Sequence, residues 1–235
     1  MGIWLIGIAF MLIGMWVSWR LKNKFKEYSQ YRIMSGMSGR EIAEKMLKDH
    51  KIYDVVVISV DGELSDHYNP ANKTVNLSHE VYQGRNAAAA AVAAHECGHA
   101  VQHATAYSML KFRSVMVPVV SVSSTILQYL NMAMLFGAGY LLYHQNAAGN
   151  LLLMTLIALN AVITLFALVT LPVEFDASAR AMKWMENTRI ASNQELALSR
   201  DALKWAALTY VVAALGAVAN LAYYVMIFMG RRSDD

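Results

Sequence analysis

His95 and His99 stand four residues apart in Ala94-His95-Glu96-Cys97-Gly98-His99-Ala100. On an α-helix that spacing projects both imidazoles from one face. Two neutral imidazoles so placed can hold one Zn²⁺ and leave a coordination position open for water or a substrate oxygen. Glu96 directly follows the first histidine, where its carboxylate can reach a zinc-bound water and take its proton. The chemistry this points to is metal-assisted hydrolysis of a peptide bond.

Two ligands do not complete such a site. His103 continues the series, but on a straight helix it lies about 12 Å from His95 along the axis. Proteases that use a third histidine turn the chain back with a glycine after the second; here Ala100-Val101-Gln102 continues the helix. The third ligand must come from elsewhere. After Pro172 the chain reads Glu174-Phe175-Asp176-Ala177-Ser178-Ala179-Arg180-Ala181. If helical, it places Glu174, Ala177, Ser178 and Ala181 on one face, a carboxylate followed by small residues that suit close packing against the histidine helix. Asp176 and Arg180, an i,i+4 pair on another face, read as a brace. Glu186, Glu195 and Asp201 are weaker rivals for the ligand, set in ordinary polar helix surface.

Other nearby residues divide between chemistry and packing. Cys97 is two positions from each histidine and reads as a small core residue. Gly98 costs a helix interior about 1 kcal/mol relative to alanine, so it is expected to clear space beside the metal. The segment Ser65-Asp66-His67-Tyr68-Asn69-Pro70 could bring His67 or Tyr68 to donate to a tetrahedral oxyanion. Its plainer reading is a strand end closed by a turn. His50, His79 and His144 read as surface or loop residues.

The elements that must position these groups are legible in outline. Asn86 can cap a helix opening on the alanine run 87–94. Residues 38–50 read as an amphipathic helix with Ile42, Met46 and Leu47 on one face. Residues 55–60 are strand-like; Asp61-Gly62 is expected to turn the chain into a second strand over 63–68. Residues 69–73 read as a loop, 74–77 as a third strand, and Ser78 as the cap of a brief helix. An edge strand beside the histidine helix could hold an extended peptide by main-chain hydrogen bonds.

Of the 235 residues, 57% are hydrophobic, beyond the usual soluble composition. Four apolar runs are candidate membrane spans: 3–19, 115–143, 151–171 and 206–229. The second is longer than a bilayer requires and is expected to project beyond it or to bend near Pro118. Its Ser121, Ser124, Gln128 and Asn131 share a face, either for hydrogen bonds between helices or as a wet groove. The first run lacks a preceding basic residue and a small-residue cleavage site, so it reads as an anchor rather than a removable signal peptide. Arg20, Lys22, Lys24 and Lys26 follow it and, by the positive-inside rule, stay in the cytoplasm. Of the 20 basic residues, 18 then fall on that side, with Arg231 and Arg232 in an outer tail. Residues 144–150 form a short outer loop. The organisation expected is an anchor (1–19), a catalytic region (20–113), two spans (114–171), a cytoplasmic helical segment (172–204) and a last span with tail (205–235). One cysteine excludes an internal disulfide framework and fits a reducing compartment. The basic residues are scattered or beside spans, which argues against nucleic acid as a partner.

The run His95–Gln102, with Leu171-Pro172-Val173-Glu174-Phe175-Asp176-Ala177-Ser178 downstream and Ser65–Pro70 and Asn76-Leu77-Ser78 upstream, resembles the YugP-type bacterial membrane zinc metallopeptidases. The resemblance covers nearly the whole chain. That family is similar to HtpX-type membrane proteases, whose third zinc ligand is a glutamate on a later helix; carried across, it implies Glu174. Those enzymes place an aspartate four residues after that ligand. Ser178 stands there instead, so either Ser178 makes a weaker bond to a histidine or Asp176 reaches in from another angle. Taken together, the residues and the resemblance lead us to expect an α-helical integral membrane protein with about four transmembrane helices. A small α+β zincin-like (gluzincin) unit would lie at the cytoplasmic face of the plasma membrane, with Zn²⁺ on His95, His99 and Glu174 and Glu96 as base. Its expected partners are the bilayer and a peptide or membrane-protein substrate, with a homo-oligomer left open. The rival readings are a catalytically silent scaffold and a transporter with structural zinc, which Glu96→Gln separates from an enzyme.

Overall fold

The computed structural model describes residues 2–143 and 146–232; His144 and the tail residues 233–235 lie outside them. The elements run α1 (Gly2–Tyr28), α2 (Gly39–Asp49), β1 (Val56–Val60), β2 (His67–Asn69), β3 (Thr74–Ser78), α3 (His79–Gln83) and α4 (Ala87–Ala104). They continue with α5 (Ser108–Leu135), a 3₁₀ helix (Ala138–Tyr143), α6 (Ala147–Thr188) and α7 (Asn193–Arg232). Four helices, α1, α5, α6 and α7, are long and apolar enough to cross a membrane. Few of the residues in their most apolar stretches are buried by protein, so their apolar side chains suit lipid.

The chain divides into two compact units. One comprises Met15–Lys111 and Leu171–Thr209. Its helix α2 starts with a reciprocal cap: the Glu41 N–H donates to the Ser38 hydroxyl oxygen, and the Ser38 N–H donates to Glu41 Oε2. Arg85 then pairs with Glu41. The apolar stripe expected of this helix, Ile42, Ala43, Met46 and Leu47, is buried. It joins Val75, Leu77, Val81, Ala94, Cys97 and Met185 in one core. Ala89, Ala90, Ala91 and Ala93 of α4 are buried in the same core.

The three strands form a sheet in the order β1-β3-β2. The expected turn between β1 and β2 is present as a bend, but no hairpin follows. β3 takes the centre, parallel to β1 (Val57 opposite Val75) and antiparallel to β2 (Tyr68 opposite Val75). β3 is the most buried of the three, whereas β1 leaves Val56 and Ile58 outward, and burial decides which strand is central. The second strand is also shorter than expected. Residues 63–66 are turn and coil, and Asp66 accepts the Ser78 N–H at 2.7 Å and its hydroxyl at 3.1 Å. Ser78 precedes α3 as expected of a cap, but its hydroxyl is taken by Asp66 and makes no capping bond. Burial raises the Asp66 carboxyl above its usual range.

The other unit comprises Met1–Gly14, Phe112–Thr170 and Tyr210–Asp235. Leu142, Leu153, Leu156 and Tyr224 form its centre. The Thr164 hydroxyl donates to Ala217 O at 3.1 Å, and Gly216 admits the Phe10 ring. The second apolar run does not stay one helix: α5 contains Pro118, ends at Leu135, and gives way at Gly137 (φ +118°), a backbone open to glycine. Ser121, Ser124, Gln128 and Asn131 are exposed, so no helix among the described residues takes the hydrogen bonds expected of them.

Candidate metal centre

The site is built from α4 and α6 within the first-described unit. Asn86 caps α4 as expected, accepting the Ala89 N–H at 2.9 Å. From that helix His95 and His99 project together, ring centroids 4.8 Å apart. Glu174 arrives on α6, which runs unbroken through Pro172 and does not restart as a separate segment after the span. Proline removes one N–H from the helix, and the neighbouring Thr170 hydroxyl bonds back to Phe166 O at 2.8 Å. Glu174 Oε2 lies 3.3 Å from His95 Nε2 and 3.5 Å from His99 Nε2. One ligand atom from each of the three residues falls within 4.8 Å of the others.

Close approach of the two helices makes this convergence possible. A Cβ on Gly98 would lie 2.5 Å from Ala177 O and 3.0 Å from Ala177 C. Gly98 therefore clears space for the backbone of α6 beside the ligand cluster. Glu174 and Ala177 are one turn apart, so the contact that needs the glycine also brings the carboxylate to the histidines.

Each ring nitrogen facing away from the cluster has a partner. His95 Nδ1 is 3.1 Å from the Ser178 hydroxyl, and His99 Nδ1 is 3.0 Å from Gln102 Oε1. Ser178 thus stands on His95, while Asp176 touches neither histidine; it accepts from Gln102 Nε2 at 2.8 Å and from Arg180 Nε at 2.6 Å. Gln102 Nε2 also donates to Val173 O at 2.7 Å. The Arg180 guanidinium lies 5.8 Å from the centroid of the Tyr107 ring.

The donor set fits a divalent cation of the zinc type. Glu174 Oε2 is buried with no hydrogen-bond partner, and His95 Nε2 and His99 Nε2 both face it. An oxygen left in that state costs free energy unless a cation meets it. Burial works against a charge on His99, yet the Glu174 and Glu96 carboxylates and the bond to Gln102 together outweigh it and raise the His99 pKa. The pocket therefore favours positive charge.

Glu96 is buried beside this cluster, and its Oε2 accepts the backbone N–H of Tyr68 at 2.9 Å. Tyr68 thus reaches the site through its amide, while its hydroxyl pairs with His103 Nδ1 at 2.7 Å. The structure does not bring His67 there. Adjacent strand residues face opposite ways, and His67 is exposed with Nδ1 2.7 Å from Ser65 O. Cys97 is buried on the far side of α4 with its thiol 3.5 Å from Ala43 O, and burial pushes its pKa well up. The rival carboxylates are engaged elsewhere: Glu186 with Arg200, Glu195 with the Met34 and Ser192 amides, Asp201 with Tyr28. His50 Nδ1 lies 2.8 Å from Met46 O, and His79 is exposed. Sequence reasoning gave no role to Gln102 or to the Tyr68 amide. The signal for Gln102 was its position three residues after His99, on the same helical face; a backbone N–H leaves no such mark.

No solved structure matches the chain. It is 38% identical over 228 residues to "Putative membrane protease YugP" of Bacillus subtilis (strain 168), covering 97% of each sequence. The sequence pattern of the family described as "Putative neutral zinc metallopeptidase" matches residues 3–229. With that match spanning almost the whole chain, the protein belongs to this zinc metallopeptidase family.

Proposed function

We propose that the protein is a membrane-embedded, zinc-dependent endopeptidase in which His95, His99 and Glu174 hold the metal and Glu96 is the general base. The observation that carries this reading is the convergence of two imidazole nitrogens on the buried Glu174 Oε2, which has no hydrogen-bond partner, with a second buried carboxylate, Glu96, directly after His95. A zinc ion there would supply Lewis acidity, lowering the pKa of its water towards neutrality and polarising the scissile carbonyl. Glu96 takes a proton from the attacking water and returns it to the leaving amine. The Tyr68 amide occupies Glu96 Oε2 and so leaves Oε1 for that water.

β2 is an edge strand, and its Tyr68 amide already touches Glu96. An extended peptide pairing along that edge runs past the base. The substrate class this favours is an extended segment of a membrane or membrane-associated protein, because four apolar helices keep the site near a bilayer. The basic residues, 18 of 20 on one side in the four-span topology, favour a cytoplasmic site.

Glu96→Gln tests the mechanism in purified protein reconstituted with zinc. Cleavage of a fluorogenic peptide library or an unfolded membrane protein should vanish while zinc content stays near that of the wild type. Cleavage surviving the substitution overturns the role of Glu96; wild type that binds zinc and cleaves nothing favours a scaffold.

A further inference from the structure

Gln102 is a wholly buried amide side chain beside the metal-ligand cluster, and its orientation is forced. Nε2 has two N–H groups, and both are used, on Val173 O at 2.7 Å and Asp176 Oδ2 at 2.8 Å. Turning the amide over would set its oxygen against those two acceptors. Oε1 must therefore face His99 Nδ1, 3.0 Å away. An amide oxygen only accepts, so Nδ1 must carry a proton, and in the neutral ring, the form that binds a metal, Nε2 then presents its lone pair to the Glu174 side. His95 is held differently: the Ser178 hydroxyl 3.1 Å from its Nδ1 can donate or accept and fixes no tautomer.

We propose that Gln102 is the positioning residue of the metal centre, acting on two helices at once. Its oxygen locks His99 as the Nδ1–H tautomer with Nε2 turned to the metal. Its nitrogen grips α6 at Val173 and Asp176, within one turn of Glu174, and so fixes the third ligand against the second. Arg180 holds the Asp176 carboxylate in turn, at 2.6 Å. Ser178 also joins α6 to α4, but through a single bond to His95 that fixes no tautomer, so the two supports are unequal.

The proposal rests on the zinc ligands assigned under Proposed function, and the test separates the two. Zinc affinity is measured by chelator competition on the full-length protein in detergent, and the visible spectrum of the cobalt(II)-loaded protein reports ligand geometry. The variants are Gln102→Met, Gln102→Glu and Ser178→Ala. Gln102→Met, similar in length and apolar, should weaken zinc about 10–100-fold and change the cobalt spectrum. Ser178→Ala should cost less. Gln102→Glu keeps an oxygen acceptor for His99 and, as the carboxylic acid, one donor for Asp176, so it should recover most of the loss. Should Gln102→Met fail to fold, Gln102→Glu alone decides: a zinc affinity near that of the wild type supports the proposal, and a loss of 10-fold or more overturns it. Wild-type affinity and spectrum in a folded Gln102→Met overturn the proposal while leaving the ligand assignment intact. Wild type that takes up no metal overturns both.

Discussion

Gly98→Ala puts a methyl where the structure has α6 backbone. The added carbon would sit 2.5 Å from Ala177 O and 3.1 Å from Ala177 Cα, whereas a comfortable carbon contact begins at about 3.5 Å. The two helices must part by roughly 1 Å. Overpacking of this kind costs about 1–3 kcal/mol, and the alanine returns about 1 kcal/mol through better helix propensity. The net loss of zinc-free stability is therefore modest. The metal centre has no such offset: Gly98 lies between the two histidines, and Ala177 is one turn from Glu174, so the separation opens the ligand triangle directly. A misplacement of about 1 Å commonly costs about 100-fold in rate. Zinc affinity, by chelator competition, should fall on the order of 10–100-fold with only a small shift in thermal unfolding. The clashing atoms are main chain, so adding Ala177→Gly should not rescue the variant. Wild-type zinc affinity in folded Gly98→Ala, or full rescue by Ala177→Gly, would refute the argument that main-chain contact sets the ligand spacing.

Three further outcomes follow from other parts of the molecule. Glu174→Ala should lose most bound zinc by atomic absorption; full retention would move the third ligand elsewhere. Ser38→Ala removes one half of the reciprocal cap of α2 and should cost about 1 kcal/mol in thermal unfolding, with zinc affinity unchanged because no ligand lies on that helix. Asp49 accepts from Lys45 and from the Trp184 indole N–H at 2.9 Å. Burial alone would raise its pKa, but these partners outweigh burial and lower it. Its contribution is then present above the ordinary aspartate pKa and is lost as pH falls through the lower folded value. Unfolding curves at stepped pH should show the wild type losing more stability than Asp49→Asn across the acid range; parallel curves would contradict the sign.

What the sequence disclosed, and what it hid, follows from the range of each interaction. The histidine pair, the Asn86 cap and the buried face of α2 are local, fixed by spacings of three or four residues, and they stand where the spacing put them. Glu174 could be singled out because small residues follow it, and the structure uses that smallness at Ala177. The sheet order was not legible. A bend after β1 suggests a hairpin, but which strand is central depends on how α2, α3 and α4 cover β3, a non-local matter. The Tyr68 amide was hidden for a deeper reason: every residue but proline has an N–H, and only the fold selects the one that meets Glu96. The exposed polar face of α5 shows the converse, since a stripe read from spacing reveals a chemistry without revealing what meets it.

The continuity of α6 through Pro172 bears on how Glu174 is held. At 1.5 Å per residue its 42 residues extend about 63 Å, roughly twice the hydrocarbon thickness of about 30 Å. A ligand on a flexible connection after the span would have to be immobilised at an entropic cost of about 1–2 kcal/mol for each ordered residue. Carrying Glu174 on the same helix avoids that cost, and Pro172, which could have broken the helix two residues earlier, does not. What remains to be fixed is the distance and angle between α6 and α4. The Gly98–Ala177 contact sets the distance, and the Gln102 bonds to Val173 and Asp176 resist rotation about it. A carboxylate and two imidazoles far apart in sequence are thus held to a common point by one steric contact and by the hydrogen bonds of Gln102 and Ser178 between the two helices.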